Sequence, residues 1–275
     1  KARGPVRSKP IDELKSELST LSENGYQEVV LVGINLSSYG KETGSFRLAE
    51  AVEAACAVEG IERVRLGSLE PELLTDADLA RMAAQEKFCP QFHLSLQSGC
   101  DRTLKRMNRR YTAAEYAALC GRIRAQFDNP SITTDIMVGF AGETDEDFLE
   151  SVRFAEEIGF AKVHVFAYSV REGTRAAQMD GHLPQSVKEA RSREMIARTD
   201  RLHEAFLRTQ INRVQSVLFE TQQDGIYTGY TLNYTRVFVP SDSDICGEIL
   251  PVRLLEVKGG ACMGEIVSDV SGHQG

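Results

Sequence analysis

The sequence contains no long apolar run, and this absence excludes proteins that are built into membranes. No stretch approaches the roughly eighteen uninterrupted apolar residues that a membrane-spanning helix requires. The opening residues, KARGPVRSKP, have neither the apolar segment nor the cleavage site of a secretory signal peptide. We therefore expect a soluble protein in the cytoplasm, with no membrane partner.

Closely spaced cysteines are also missing. The sequence has six cysteines, and no two are closer together than Cys89 and Cys100. This spacing excludes the tight C-x-x-C pattern of zinc and iron–sulfur sites, so no metal site is expected within the chain. The favoured interpretation is that all are reduced structural thiols. They are Cys56, Cys89, Cys100, Cys120, Cys246 and Cys262.

An excess of positive charge is the third absence, since the formal net charge is −8. Bulk electrostatic attraction cannot hold such a protein on nucleic acid, and any RNA contact must come from local basic patches. Two segments are basic enough, although either would also be typical of a solvated surface. The first carries Lys1, Arg3, Arg7 and Lys9, and the second, DRTLKRMNRR, carries Arg102, Lys105, Arg106, Arg109 and Arg110.

Strand and helix patterns alternate over residues 1–210. Apolar residues at helical spacing predict a first helix over 10–23. Strand-like segments follow at 28–33, 63–68, 92–97, 132–138 and 162–168, with helical patterns between them at 46–58, 75–86, 112–127 and 143–158. Repeated units of this kind form either a full or partial barrel or a doubly wound sheet, and both bind ligands at the carboxyl ends of the strands.

The segments that follow the predicted strands are rich in small and polar residues. They read GINLSS, GSLEP, QSGC, GFAGET and YSVREGT in chain order. Turns require Gly and Ser in any protein, but five such segments in succession favour a binding site at this end of the strands.

The chain changes character after a long charged helix predicted over 184–210. From Val214 onward, short β-rich runs with Gly-containing turns predict a small antiparallel barrel, in the style of oligonucleotide-binding modules. We place the domain boundary between residues 210 and 211. The second domain is net acidic, so RNA contact there requires a local face, for which Tyr230, Tyr234 and Arg236 are the candidates.

Seven ordered segments carry a family resemblance: RGPVRSKP, VVLVGINLSSYG, LGSLEP, LSLQSGC, LKRMNRRYT, TTDIMVGFAGETDEDF and VFAYSVREGT. They resemble the radical S-adenosylmethionine methylthiotransferases (the MiaB/MtaB-like family), and residues 211–275 resemble the RNA-binding TRAM module of that family. RGPVRS and YSVREGT are most similar to the branch that methylthiolates carbon 2 of N6-threonylcarbamoyladenosine beside the tRNA anticodon. Ala141, Ala167 and Arg175 replace prolines usual in the family, which affects the rigidity of the loops.

The resemblance implies an α/β fold, with a partial (β/α)6 TIM-like radical SAM barrel over 1–210 and a small all-β, OB-like TRAM domain over 211–275. It also implies S-adenosylmethionine as cofactor and two 4Fe–4S clusters in the full-length enzyme. The C-x-x-x-C-x-x-C loop of one cluster would precede Lys1, which is not an initiator Met, and so would the domain that binds the other cluster. We therefore expect this chain to be an inactive fragment that holds no cluster and has no catalytic residues of its own.

The resemblance assigns roles to individual positions, for which turn formation and barrel packing are the alternatives. Gly33 and Asn35 would line the methionine end of the cofactor, Ser68 and Glu70 its ribose, and Val138, Gly139 and Phe140 its adenine, with Gln97, Ser98 and Arg109 nearby. The candidate RNA-binding residues are Arg3, Arg7, Lys105, Arg106, Arg110, Tyr230, Tyr234 and Arg236. The implied partners are the tRNA anticodon loop and an electron donor such as flavodoxin or ferredoxin, and we expect a monomer.

Two other functions remain open. A sibling enzyme that methylthiolates an aspartate of a ribosomal protein would share the barrel and the cofactor. A non-catalytic RNA-binding scaffold that has lost its cluster loop would share the fold alone.

Overall fold

A computed structural model of the protein describes residues 4–44 and 47–267. Lys1 and Arg3, from the basic amino-terminal segment, lie outside the described residues. The chain divides into two compact units, residues 1–200 and 201–275. The assignment of these units as a catalytic barrel and an RNA-binding module stays a prediction.

The first unit alternates strands with helices. Its strands are β1 (Glu28–Leu31), β2 (Arg63–Leu66), β3 (Gln91–His93), β4 (Ser131–Val138) and β5 (Lys162–Ala167). Its helices are α1 (Ile11–Glu23), α2 (Leu48–Cys56), α3 (Asp76–Ala83), α4 (Asp101–Arg106), α5 (Ala113–Gln126) and α6 (Asp145–Ile158). The long helix α7 (Gln185–Gln210) runs from this unit into the next.

The five strands are parallel and follow one another in chain order. β1 pairs with β2, and β4 lies between β3 and β5. Isolated bridges from Val64 to Phe88 and from Leu69 to Leu94 connect β2 to the segment that contains β3. Doubly wound sheets reverse their strand order, whereas this order never reverses. The arrangement is the partial barrel, and the predicted fold class is confirmed.

Threonines begin three of the helices that surround the strands. Thr75, Thr112 and Thr144 each accept a hydrogen bond from the backbone amide of the third helical residue. The carboxylate of that residue accepts a hydrogen bond from the threonine backbone amide in turn. Such capping boxes satisfy donors that a helix start leaves unpaired. They fix where α3, α5 and α6 begin, and therefore the lengths of the loops that precede them.

Side chains alternate between two faces along each strand. In β4, Ile132, Thr134, Ile136 and Val138 are buried against the helices, while the intervening residues are only half-buried and face the interior of the partial barrel.

The amino-terminal end of the barrel interior is closed by a buried ion-pair cluster. Arg65 donates to both carboxylate oxygens of Glu28, at 2.6 and 3.1 Å. Arg63 lies 3.7 Å from the same carboxylate, and both arginines are almost fully buried. Charges buried this deeply are tolerated because they are paired. Folds of this class bind ligands at the opposite, carboxyl-terminal end of the strands, which we call the open end.

The second unit contains a closed barrel of five strands: β6 (Val214–Gln223), β7 (Ile226–Thr231), β8 (Arg236–Pro240), β9 (Ile249–Lys258) and β10 (Ala261–Ile266). All pairs are antiparallel except β8 with β10. This small closed barrel fits the predicted OB-like architecture.

Gly229 lies within β7. A Cβ atom at Gly229 would lie 2.4 Å from the carbonyl oxygen of Leu218, so the close approach of β6 requires glycine there.

No helix in the described part of the chain is both long and apolar enough to cross a bilayer.

Candidate functional site

The loops that follow the five strands meet at the open end of the partial barrel. The Glu70 amide donates to Ser37 Oγ at 2.9 Å, which joins the loops after β1 and β2. The Gly142 amide donates to the Gly181 carbonyl at 2.8 Å, which ties the loop after β4 to a later segment. The first contact links two of the segments that follow the strands, and the second links a third such segment to residue 181. We call the surface formed by the segments GINLSS, GSLEP, QSGC, GFAGET and YSVREGT, together with Arg109 beside Glu70, the mouth.

Glu70 and Arg109 form the clearest pairing in the mouth. Arg109 Nη1 lies 3.6 Å from Glu70 Oε2, and both side chains are about one-third exposed. Burial raises the pKa of Glu70, and the positive charge of Arg109 opposes that rise. The structure thus brings together Glu70, which the resemblance assigns to the ribose of the cofactor, and Arg109, which it places nearby, and it leaves both accessible to a ligand.

Gln97 has a strained backbone at the end of the third strand segment. Its φ is +70°, a left-handed value that is unfavourable for a residue with a long side chain. Two hydrogen bonds hold this strained conformation. The Gln97 amide donates to the Asp135 carbonyl at 2.8 Å, and the Gln97 carbonyl accepts from the Met137 amide at 2.9 Å. Strain of this kind concentrates at functional sites.

The other predicted cofactor residues differ in accessibility. Gly33, Asn35 and Ser68 are exposed on the loops after β1 and β2. Gly33 and Asn35 also line a groove of about 1050 Å³ along the outer side of β1, together with Arg7.

Ser98, Val138 and Phe140 are buried. Ser98 Oγ accepts from the Cys100 amide at 3.2 Å, and the Phe140 ring packs edge-on against Tyr168 at 4.9 Å. Gly139, which lies between Val138 and Phe140 in the chain, has a φ of +73°, and its amide donates to the Glu143 carboxylate at 2.9 Å. These positions shape the mouth through packing and backbone, so their roles toward a cofactor remain predictions.

Tyr168, at the end of β5, carries an unsatisfied hydroxyl group. The residue is 7% exposed, and its Oη atom has no hydrogen-bond partner among the described residues. Leaving a buried hydroxyl unpaired costs about 1–3 kcal/mol.

Four polar side chains inside the barrel were missed by the sequence analysis. His93 Nδ1 lies 3.0 Å from Thr133 Oγ1, His93 Nε2 lies 3.4 Å from Asp135 Oδ2, and the rings of His93 and His164 are 5.8 Å apart. Burial lowers the pKa of His164, and so do His93 and Lys162, while Asp135 opposes them. The sequence did carry a signal for this group, because a polar residue within an otherwise apolar strand indicates a position that faces the barrel interior.

The predicted basic segment around α4 divides into two kinds of residue. Arg106 donates to the carbonyl oxygens of Ala141 at 2.7 Å and Asp180 at 3.1 Å, and Arg102 pairs with Asp147. These two arginines hold the loop after β4 in place. Lys105 and Arg110 are exposed and project from the same segment.

The predicted RNA-binding residues of the second unit lie together. Tyr230 pairs across the strands with Arg236. The Tyr230 ring is stacked on Tyr234, with ring centres 4.5 Å apart and planes 14° apart. The Arg236 guanidinium lies 4.8 Å from the centre of the Phe238 ring.

The cysteines do not form a site. All six are free thiols, and only Cys246 is exposed. Burial raises the pKa of the others to about 12 at Cys120 and to about 11 at Cys56, Cys89, Cys100 and Cys262.

Within residues 4–44 and 47–267, no three His, Cys, Asp or Glu side chains are grouped so that they could hold one metal ion. The three-thiolate ligand set implied by the resemblance is therefore not supplied by the described residues.

Comparison with known proteins supports the family resemblance. A sequence model of the Radical SAM superfamily matches residues 1–155. Threonylcarbamoyladenosine tRNA methylthiotransferase MtaB of Bacillus subtilis is 33% identical over 261 residues, which cover 93% of this chain and 58% of that protein. The tRNA-2-methylthio-N(6)-dimethylallyladenosine synthase of Acetivibrio thermocellus is 35% identical over 269 residues, with coverages of 96% and 56%. The chain spans somewhat more than half the length of these curated relatives.

A solved structure agrees on the fold. Coproporphyrinogen III oxidase (HemN) from Escherichia coli, described as a radical SAM enzyme, matches with a TM-score of 0.54 at 15% identity, over 81% of this chain and 59% of that one. The similarity at this identity concerns the fold alone. Because the superfamily model covers more than half of the chain and the relatives align along most of it, the protein belongs to the radical SAM superfamily and, within it, to the MiaB/MtaB-like family.

Proposed function

We propose that the protein is the barrel and RNA-binding part of a tRNA methylthiotransferase, which adds a methylthio group to carbon 2 of N6-threonylcarbamoyladenosine beside the anticodon. The observation that carries the proposal is the mouth, where Glu70 and Arg109 meet 3.6 Å apart at the open end of a radical SAM fold. Relatives named for two different tRNA nucleosides align almost equally well. The choice of nucleoside rests on the segments RGPVRS and YSVREGT.

S-adenosylmethionine fits the mouth at its nucleoside end. Ser68 and Glu70 would bind the ribose hydroxyls, and Val138, Gly139 and Phe140 would lie against the adenine. Gly33 and Asn35 would contact the methionine portion. When bound, the cofactor would supply the radical chemistry, and the residues of this chain would orient it and exclude water. The two 4Fe–4S clusters and the electron donor, such as flavodoxin or ferredoxin, belong to the proposal for the full-length enzyme.

The tRNA anticodon loop is the proposed substrate. Lys105 and Arg110 project beside the mouth, where they would neutralise phosphates while an unstacked base enters the barrel. Tyr230, Tyr234 and Arg236 would contact RNA from the second unit. The enzyme would act in the cytoplasm as a monomer.

Nucleoside analysis of tRNA from a gene-deletion strain tests the proposal. We expect loss of 2-methylthio-N6-threonylcarbamoyladenosine, retention of its unmethylthiolated precursor, and restoration by the full-length gene. Loss of the 2-methylthio-dimethylallyl nucleoside instead would change the substrate. Unchanged tRNA nucleosides with loss of methylthio-aspartate from a ribosomal protein would identify the sibling enzyme. If neither the tRNA nucleosides nor the ribosomal protein changed, the non-catalytic scaffold would be favoured.

A further inference from the structure

The turn between β7 and β8 in the second unit places one tyrosine in an unusual backbone conformation. Tyr234 has a φ of +64° and 49% of its surface exposed. Glycine and asparagine occupy this left-handed region readily, whereas a bulky aromatic residue does so at a cost in free energy. A turn selected only for stability would not carry tyrosine at this position.

A buried polar network holds this turn in place. Asn233 Oδ1 accepts hydrogen bonds from the hydroxyl groups of Thr231 at 2.6 Å and Thr235 at 2.8 Å. Asn233 Nδ2 donates to Gln210 Oε1 at 3.1 Å. The four side chains are buried, and the Tyr234 amide donates to the Thr231 carbonyl at 3.0 Å. Because a buried network of this kind is costly to break, it can keep Tyr234 in its strained conformation.

The same turn fixes the direction of the aromatic ring. Tyr234 stacks on Tyr230 with ring centres 4.5 Å apart and planes only 14° apart. Tyr230 is the cross-strand partner of Arg236, which is exposed. The result is a rigid, half-exposed aromatic surface with a guanidinium group on the neighbouring strand.

We propose that Tyr234 is a stacking platform for one unpaired nucleobase of an RNA strand, with Arg236 contacting the adjacent phosphate. An unpaired base offers an open π-face, whereas the faces of bases within a duplex are covered by their neighbours. The turn backbone and the buried network hold the Tyr234 ring in its binding orientation before RNA binds. This preorganisation reduces the conformational entropy that is lost on binding. The inference rests on the proposed function in taking RNA as partner, and it specifies a single-stranded segment.

Binding of a labelled anticodon-loop oligonucleotide, measured by fluorescence anisotropy, tests the platform. Tyr234→Ala should weaken binding by about 5- to 150-fold, the loss typical of one base–aromatic stack, and Tyr234→Phe should bind as wild type does. Tyr26→Ala removes an exposed tyrosine of the first unit and serves as matched control. A fully paired version of the oligonucleotide should bind equally to wild type and to Tyr234→Ala.

Two further variants separate recognition from folding. Tyr234→Gly relieves the backbone strain, so its unfolding midpoint should be no lower than that of wild type while its RNA binding is lost. If Tyr234 served only the fold, Tyr234→Gly would lower the unfolding midpoint and leave RNA binding unchanged. Tyr234→Trp introduces the only tryptophan of the chain, and its fluorescence should be quenched when the oligonucleotide binds.

The outcomes distinguish this inference from the proposed function. The platform is overturned if wild type fails to bind the oligonucleotide, if Tyr234→Ala binds with wild-type affinity, or if the Tyr234→Trp emission does not respond to bound RNA. None of these results changes the tRNA nucleoside profile of a deletion strain, which tests the proposed function. An unchanged nucleoside profile overturns the proposed function, even where the oligonucleotide still stacks on Tyr234.

Discussion

At the scale of single residues, several charged groups are held by more than one partner. Asp147 accepts from Arg102 Nε at 2.8 Å and from the Thr144 amide at 2.7 Å. Burial would raise the pKa of Asp147, but the hydrogen bonds from Arg102, Thr144 and Cys100 outweigh it and hold the pKa well below its ordinary value. The carboxylate therefore connects α4 to the start of α6.

Acid should weaken this connection. Since the folded pKa of Asp147 is lower than the unfolded pKa, its contribution to stability is present above about pH 4 and is lost as the pH falls through the folded value. Asp147→Asn should lower the free energy of unfolding at neutral pH by about 2 kcal/mol and flatten its acid dependence. Urea unfolding at several pH values measures both, with Asp76→Asn as control, because that carboxylate is 80% exposed and its ion pair should contribute under about 1 kcal/mol. Equal losses in the two variants would contradict the role given to Asp147.

Arg109 should affect turnover more than RNA affinity. Its guanidinium faces Glu70 in the mouth, so its loss misplaces the cofactor side of the site. In the full-length enzyme, Arg109→Gln should lower kcat on the order of 100-fold and leave the tRNA dissociation constant within about twofold of wild type. A loss of tRNA affinity equal to the loss of kcat would instead make Arg109 an RNA contact.

At the scale of elements, α4 and the turn after it combine two roles in one basic segment. Arg102 and Arg106 are engaged with the loop after β4, whereas Lys105 and Arg110 are exposed. Charge counting cannot distinguish these roles, because all four residues have the same sign and lie within a few positions of one another.

Reversing the charge of the two exposed residues tests the RNA-binding role without disturbing the loop. Lys105→Glu with Arg110→Glu should weaken tRNA binding and reduce its salt dependence, by roughly 0.7–0.9 in slope for each lost phosphate contact. The matched control is Lys15→Glu with Arg153→Glu, exposed positions on α1 and α6. If the two double variants behave alike, the segment is only a solvated surface.

The sequence predicts elements better than it predicts the contacts between them. Strand patterns located β1 to β5 because apolar, β-branched runs are a local signal. The need for glycine at Gly229 comes instead from the close approach of Leu218 on β6, which no local pattern reveals. The Glu70–Arg109 contact joins two positions that the family resemblance assigns to the cofactor site, and that assignment stays a prediction. The His93–Asp135 contact and the strained Gln97 depend on the register between β3 and β4, which no local pattern reveals.

At the scale of the whole molecule, the described residues supply polar groups for a nucleoside in one place but do not group cysteines in any place. The mouth offers polar groups for a nucleoside, while the cysteines lie singly on different elements. Binding the amino-acid end of S-adenosylmethionine would require an iron with an open coordination position.

This chain alone should bind S-adenosylmethionine weakly and should not assemble a stable 4Fe–4S cluster. Calorimetry measures the first property, and the visible absorbance after anaerobic incubation with iron and sulfide measures the second. A longer protein with a three-cysteine loop should gain both properties together. Tight cofactor binding or stoichiometric cluster absorbance from this chain would contradict the proposal that its residues contact the nucleoside but do not bind the cluster.

The buried thiols have a consequence for sulfur chemistry near the barrel. A thiol captures iron or attacks a persulfide only as its thiolate, and a pKa of about 11 or 12 keeps five of these cysteines protonated at neutral pH. These five buried thiols are therefore poor nucleophiles and poor iron ligands at neutral pH. Only Cys246 is exposed to reagents, so a maleimide dye should label the native chain once, in the second unit, and all six positions after unfolding.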